Sequence, residues 1–248
     1  LATIYVGSDS DPLDAIDDIT PSAYEEANGS GSGTYVDVGA LAGEMGVGTK
    51  FDVPVLGAVN FKYYPKVDSA KNADNTASGD TGASMGGGYS MSIKTNLGDL
   101  PVVGSFVDGF ALTTGVTDYE NATDAQTDDA FELNAAITGS IGNFSLGFQK
   151  ELISDGQTSE SEQAKFYKDQ TIGLAYAVND QLSISYNQIE SYRHHHSSVN
   201  PRQETDAINI GYTVGGMTIG FQDASTDNAG YVLNAKDDTR TLGVSVAF

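Results

Sequence analysis

Large apolar residues occupy every second position over much of the chain, most clearly near its C-terminus. There Leu242, Val244 and Val246 alternate with the small residues Gly243 and Ser245. Successive side chains of a β-strand point to opposite faces, so one face of this strand is apolar and the other is small and polar. The same alternation predicts strands at residues 131–137, 144–148, 172–178, 182–186, 208–214 and 218–222.

Short turn sequences join these strands into hairpins. The pairs Gly215-Gly216, Asn179-Asp180 and Gly142-Asn143 separate neighbouring strands. Glycine and asparagine accept the positive φ angles that tight hairpin turns require. Less regular strands are predicted near residues 47–53, 59–64, 90–95 and 110–116. In all we expect about twelve antiparallel strands, each near the length that a tilted membrane strand needs.

The alternation also assigns side chains to faces, because a shift of one residue would exchange the two faces. We expect one set to point outward: Leu174, Tyr186, Ile210, Phe221 and Val244. We expect another set to point inward: Ser183, Asn209, Gln222 and Ser245.

The predicted connections alternate between short and long. Long connections at residues 66–82, 119–128, 152–168, 194–204 and 223–238 are rich in Asp, Asn, Ser, Gly and Thr. Short turns at one rim and long polar loops at the other are typical of outer-membrane β-barrels. An extracellular β-sandwich also has alternating strands. The small polar face and the alternating loop lengths favour the barrel.

Composition and charge exclude several classes of protein. The 248 residues contain 29 Gly, 13 Tyr and 10 Phe, a mixture rich in strand and turn residues. The absence of Cys excludes a disulfide framework and thiol metal sites. Only 12 basic residues oppose a net charge of −22, which excludes nucleic acid as a partner. We therefore predict an all-β protein whose 248 residues form a single barrel domain.

The terminal sequence LGVSVAF resembles the last strand of Gram-negative general porins, which ends on an aromatic residue; here that residue is Phe248. The order of strands and connections resembles the same family along the whole chain. The resemblance implies a homotrimer in the outer membrane, in contact with lipid and lipopolysaccharide. It also implies a transmembrane antiparallel β-barrel of about 16 strands that serves as a passive channel.

In that family a long loop after the fifth strand folds into the barrel and narrows it. Here residues 8–43, called the acidic segment below, follow the first strand. If the two correspond, about four N-terminal strands are missing from this chain. The family's loop tip carries an acidic Pro-Glu-Phe-Gly-like sequence, whereas this chain has PSAYEE at residues 21–26.

The acidic segment contains many carboxylates and no basic residue. The candidate constriction residues in it are Asp9, Asp11, Asp14, Asp17, Asp18, Glu25 and Glu26. A long connection of such one-sided charge is either functional or a solvated surface loop. Apolar residues such as Leu13 and Ile16 favour packing against an inner wall.

Three lysines share the polar parity of early strands: Lys50, Lys62 and Lys94. A lysine facing lipid is unfavourable, so we expect these to point inward unless they lie near a rim, where lysine is tolerated. Opposed acidic and basic groups would set a transverse field across the aperture. Because carboxylates outnumber lysines, we expect a weakly cation-selective pore.

Other candidate chemistry is weaker. Asp9, Asp11 and Asp14 have oxygen-rich spacing but lack the pattern of a calcium loop, so only adventitious Ca²⁺ is expected. Residues 194–196 are consecutive histidines in a predicted loop, which favours exposure over a metal site. No nucleophile, base and acid set emerges, so we expect neither an enzyme nor a cofactor. The alternative function is a non-conducting surface barrel or a β-sandwich adhesin that acts through its loops.

Overall fold

The computed structural model describes residues 2–8, 11–29, 33, 35–65, 87–101, 106–120, 130–154, 164–195 and 200–246. Within these ranges the strands are β1 (Thr3–Gly7), β2 (Gly46–Val53), β3 (Gly57–Tyr64), β4 (Gly88–Asn96), β5 (Phe110–Tyr119), β6 (Ala130–Ile141), β7 (Phe144–Ser154), β8 (Ala164–Ala177), β9 (Leu182–His195), β10 (Gln203–Val214), β11 (Met217–Asp227) and β12 (Lys236–Val246). Short 3₁₀ turns occur at Asp14–Ile16, Leu97–Asp99 and Ala229–Tyr231. Twelve strands confirm the prediction from the sequence.

The strands form one sheet in which each strand is antiparallel to the next along the chain. The sheet is a partial β-barrel with β1 and β12 at its two edges. Tight turns lie at the predicted positions. Gly215 and Gly216 between β10 and β11 have φ of 56° and 82°, and Gly142 between β6 and β7 has φ of 60°. Such positive φ angles explain why glycine occupies these turns.

Burial alternates along the strands in the predicted register, with apolar side chains exposed and polar ones buried. On the outer face Leu174 is 39 % exposed and Val244 is 60 % exposed, whereas on the inner face Asn209 and Gln222 are fully buried. Ser245 shares the inward parity but is exposed. An apolar exterior around a polar interior is the reverse of a soluble protein and is typical of transmembrane barrels.

Several strands extend farther than the sequence prediction allows. The predicted loops at residues 152–168, 194–204 and 223–238 are too long, because β7 continues to Ser154, β9 reaches His195 and β11 reaches Asp227. Backbone pairing does not depend on apolar side chains, and polar residues continue the ladder here. Asp227 faces Lys236 across β11 and β12 and forms a 2.7 Å ion pair with it.

Some predictions fall on residues outside the described ranges. These are the constriction candidate Asp9, the terminal Phe248, His196, the loop at residues 66–82 and most of the loop at residues 119–128. In the part of the chain that the structure describes, no helix has the length and apolarity needed to cross a membrane.

Candidate functional site

The acidic segment lies along the inner face of the sheet and contacts strands from β4 to β12. Near its start, the Leu13 amide donates to Ser90 Oγ on β4 at 3.1 Å. Farther along, Asn134 Nδ2 on β6 donates to the Ile16 carbonyl oxygen at 3.1 Å. Buried backbone groups need hydrogen-bond partners, and the wall side chains that provide them here hold the segment.

The middle of the segment lies on β9 and β11. Asn187 Nδ2 donates to the Pro21 carbonyl oxygen at 3.0 Å, and the Ala23 amide donates to Ser185 Oγ at 2.9 Å. Gln222 Nε2 on β11 donates to the carbonyl oxygens of residues 25 and 26 at 3.1 and 2.6 Å. The buried inward Asn, Ser and Gln side chains therefore recognise the backbone of the segment.

The returning part of the segment is bound to β6 and β12. The amides of Gly39 and Ala40 donate to the Glu132 carboxylate at 2.8 and 3.2 Å. The Gly33 amide donates to Asp237 Oδ2 at 3.2 Å. Charged acceptors form stronger hydrogen bonds than neutral ones, so both ends of this part are anchored.

Apolar contacts also hold the segment against the inner face of the barrel. Leu13, Ile16 and Val38 form a buried cluster with Ile153 on the inner face of β7. Leu41 is also fully buried. Burying a large aliphatic side chain contributes about 1.5–3 kcal/mol, so the segment is held by burial as well as by hydrogen bonds.

The predicted carboxylates occupy different environments. Asp11 is buried, with 1 % of its surface exposed, and its Oδ1 accepts a 3.1 Å hydrogen bond from the Leu13 amide. Asp14 and Asp18 are exposed, whereas Asp17, Glu25 and Glu26 are half-buried. The segment therefore presents some carboxylates to open space and withdraws others against the wall.

Burial changes the acidity of this cluster. It raises the pKa of Asp17 to about 6, and the nearby charges of Asp18 and Asp37 add to the effect. Burial is also the largest cause that raises the pKa of Glu26 well above its ordinary value, followed by the hydrogen bond that protonated Glu26 donates to Asp18. The pKa of Asp14, which is exposed, is raised by partial desolvation and by the charges of Asp11 and Asp18. Crowded carboxylates of this kind titrate closer to neutral pH than isolated ones.

Two spaces border the segment. An acidic recess of about 550 Å³ has Asp18, Glu25 and Glu26 in its lining. A second space of about 550 Å³ lies between Lys94 on β4 and the segment at Ile19 and Pro21. Carboxylates of the segment and a lysine of the wall therefore border open volume inside the barrel.

The three lysines share the inner face but differ in exposure. Lys50 and Lys94 are exposed and line a common space of about 320 Å³. Lys62 is fully buried, and its Nζ donates to the Glu44 carbonyl oxygen at 3.0 Å and lies 4.6 Å from the centre of the Tyr64 ring. Of these three lysines, only Lys50 and Lys94 therefore border open space.

Three buried carboxylates of the wall were not among the predicted site residues. Glu132, Glu151 and Asp169 lie on the inner face with 2 %, 7 % and 1 % of their surfaces exposed. Glu151 accepts hydrogen bonds from Asn134 Nδ2 at 2.8 Å and Gln149 Nε2 at 2.7 Å. Alternation could have found these acids, because each has the parity of the polar face.

Among the residues that the structure describes, no three His, Asp or Glu side chains are grouped so that they could bind a metal ion. His194 and His195 lie in β9 rather than in the predicted loop, and the His194 ring stacks on Phe166 with centroids 4.3 Å apart.

Comparison with solved structures supports a porin-like fold. The chain is similar to OmpF of Salmonella typhi in complex with daunomycin, with a TM-score of 0.57 and 12 % identity over 82 % of this chain. It is also similar to the outer-membrane channel DcaP of Acinetobacter baumannii, with a TM-score of 0.53 and 10 % identity over 91 % of this chain. The matches span 61 % of the OmpF chain and 68 % of the DcaP chain. No protein-family model and no curated protein matches the sequence.

Proposed function

We propose that this protein is an outer-membrane channel for passive diffusion of small hydrophilic solutes and ions. The porin-like fold, the apolar outer face and the polar inner face support this proposal. Diffusion through such a channel includes no catalytic step and needs no cofactor.

One observation carries the proposal further. The acidic segment crosses the inner face of the barrel and borders open space, where Asp18, Glu25 and Glu26 line a recess. Lys50 and Lys94 are exposed on the inner face of the early strands β2 and β4. Acidic and basic groups on two sides of an aperture orient dipolar solutes, and an excess of carboxylates favours cations. We propose that the segment narrows the pore and makes it weakly cation-selective.

The reversal potential in a salt gradient tests this proposal on the complete protein in planar bilayers. The reversal potential of the unmodified protein is compared with that of a variant that carries Asp14→Asn, Asp17→Asn, Asp18→Asn, Glu25→Gln and Glu26→Gln. A matched control neutralises the same number of outward carboxylates: Glu190, Glu204, Asp223, Asp227 and Asp238. We expect the first variant to lose cation preference and the control to keep it.

Two results would contradict the proposal. Anion preference in the unmodified protein would refute the sign of the selectivity. Unchanged conductance and selectivity in the segment variant would show that the segment does not line the aperture.

The assembly is proposed from the resemblance to general porins. We propose a homotrimer that contacts lipid and lipopolysaccharide, since an exposed apolar band can pack against neighbouring barrels as well as lipid. Mild detergent extraction should yield an oligomer that dissociates on heating. A monomer under these conditions would contradict the trimer.

The alternative function is a non-conducting surface barrel. The observation that favours it is the buried apolar part of the acidic segment, because Leu13, Ile16 and Leu41 fill part of the interior. Conductance separates the two functions directly. A correctly folded complete barrel that carries no current would establish the alternative.

A further inference from the structure

Five inward glycines lie beneath the middle of the acidic segment. They are Gly147 on β7, Gly173 on β8, Gly211 on β10, Gly220 on β11 and Gly243 on β12. None of these five has a positive φ angle, so backbone conformation does not require glycine at these positions. Glycine inside a strand is unfavourable by about 0.5–1 kcal/mol relative to alanine, and it often marks the close approach of another backbone.

The strand register brings these glycines together in two rows. Gly147 pairs directly with Gly173 across β7 and β8. Gly211 pairs with Gly220, and Gly220 pairs with Gly243, across β10 to β12. Two rows without side chains therefore lie on an inner wall where neighbouring buried positions carry longer side chains such as those of Gln149, Asn187, Asn209 and Gln222.

The first row accommodates Pro21. A Cβ atom added to Gly173 would lie 2.7 Å from the Pro21 carbonyl oxygen and 3.0 Å from Thr20 Cβ. A Cβ atom at Gly147 would overlap Pro21 Cδ. These distances are shorter than van der Waals contacts, so this stretch of backbone fits only against glycine.

The second row accommodates Ala23 and Tyr24. A Cβ atom at Gly211 would overlap the Ala23 carbonyl oxygen. The Tyr24 side chain spans the next two glycines, since a Cβ atom at Gly220 would overlap the ring and one at Gly243 would overlap the Tyr24 hydroxyl. The segment therefore approaches the wall as closely as its own backbone and one aromatic ring allow.

We propose that these five glycines, the glycine track, are positioning residues for the pore. They seat residues 21–24 against β7 to β12 and so set how far the flanking carboxylates Asp18, Glu25 and Glu26 project into the interior. The expected effect of these glycines on conductance and selectivity rests on the proposed channel function. The contact of Tyr24 with Gly220 does not depend on conduction.

A disulfide test measures the geometry without any current. The sequence has no cysteine, so Tyr24→Cys combined with Gly220→Cys introduces a single possible pair. The Tyr24 ring carbons nearest its backbone lie against Gly220, which places the two Cβ atoms within reach of a disulfide. The control pair is Tyr24→Cys with Gly139→Cys, because Gly139 in β6 has outward parity. We expect oxidation to link the first pair and leave the control pair as free thiols.

The electrical test uses a double-mutant cycle in the complete protein. Gly220→Ala pushes the Tyr24 ring toward the lumen, so we expect lower single-channel conductance and a shifted reversal potential. Adding Tyr24→Ala removes the ring and should restore both values. Gly139→Ala is a matched steric control, since its Cβ would crowd Phe110 and the Gly109 carbonyl oxygen instead of the segment, and adding Tyr24→Ala should not reverse any change that it causes.

The outcomes separate the two proposals. Failure of the cysteines at positions 24 and 220 to form a disulfide in a folded barrel would refute the contact between Tyr24 and Gly220. Wild-type conductance in Gly220→Ala, or no recovery on adding Tyr24→Ala, would overturn the positioning role. A barrel that forms the disulfide but never conducts would refute the channel function and still support the contact between Tyr24 and Gly220.

Discussion

The buried side-chain amide of Gln222 donates a 2.6 Å hydrogen bond to the main-chain oxygen of Glu26. The same nitrogen lies 3.1 Å from the Glu25 carbonyl oxygen and 2.9 Å from Asn209 Oδ1. One amide on β11 thus joins the wall of the barrel to the acidic pair Glu25 and Glu26 of the segment.

Replacing this amide with a hydrocarbon should loosen the segment. Gln222→Leu removes the donor that Asn209 Oδ1 shares with the two carbonyl oxygens, and leaving the buried Asn209 Oδ1 without this hydrogen bond costs about 1–3 kcal/mol. We expect a lower midpoint of denaturant unfolding and noisier single-channel current. Ser245→Ala, at an exposed inward position, is the control. An unchanged midpoint in Gln222→Leu would show that this contact contributes nothing.

Selectivity should depend on pH because the pKa of Asp17 is raised to about 6 by burial and by its acidic neighbours. As pH falls through this value, Asp17 takes up a proton and the segment loses negative charge. We expect cation preference to weaken between about pH 7 and pH 5. Reversal potentials across this range check it. Asp17→Asn should flatten the profile, and an equally steep profile in that variant would assign the effect to another group.

Stability should also depend on pH, with a definite sign. Burial raises the pKa of Asp17 and of Glu26 in the folded protein, so the folded state binds protons more tightly than the unfolded state. Stability therefore decreases as pH rises from the ordinary carboxylate range through the raised pKa of Asp17. We expect a higher denaturant midpoint at about pH 5 than at about pH 7. A smaller difference in Asp17→Asn would support this origin, whereas greater stability at the higher pH would contradict it.

The three inward lysines should differ in their effect on permeation. Lys50→Gln and Lys94→Gln each remove an exposed positive charge, so we expect stronger cation preference in both. Lys62 is fully buried and binds the Glu44 carbonyl oxygen, so Lys62→Gln should reduce stability more than it changes selectivity. Reversal potentials and unfolding midpoints measured on all three variants test this order. A larger selectivity shift in Lys62→Gln than in the other two would contradict it.

The outer face should tolerate charge only near the long connections. Ile210 is an exposed apolar residue of β10, so Ile210→Lys places a charge in the lipid-facing band. Near the bilayer midplane such a lysine destabilises the folded barrel by about 2–4 kcal/mol. Ser225 is also exposed on the outer face but lies among the polar residues near the end of β11, where it donates to Asp238 at 2.6 Å. Ser225→Lys should therefore be less harmful. Equal losses of folded protein in lipid vesicles would contradict this position of the apolar band.

The alternating pattern was sufficient to predict strands, faces and tight turns. An inward or outward position depends only on residue parity, so Asn209 and Ile210 could be assigned to opposite faces from the sequence. Strand ends were predicted less well, because pairs such as Asp227 and Lys236 continue the ladder with polar side chains that resemble a loop.

Tertiary structure decided how the acidic segment lies and which of its charges are exposed. Asp11 and Asp14 are near neighbours in sequence, yet only the first is buried, because burial depends on the distant wall that each residue meets. In the sequence Gly211, Gly220 and Gly243 are simply small residues of the polar face. Cross-strand register aligns them, and the fold of a segment about 200 residues away places Tyr24 on top of them. Local periodicity determines the wall of this barrel, whereas contacts between residues remote in sequence determine what lies against it.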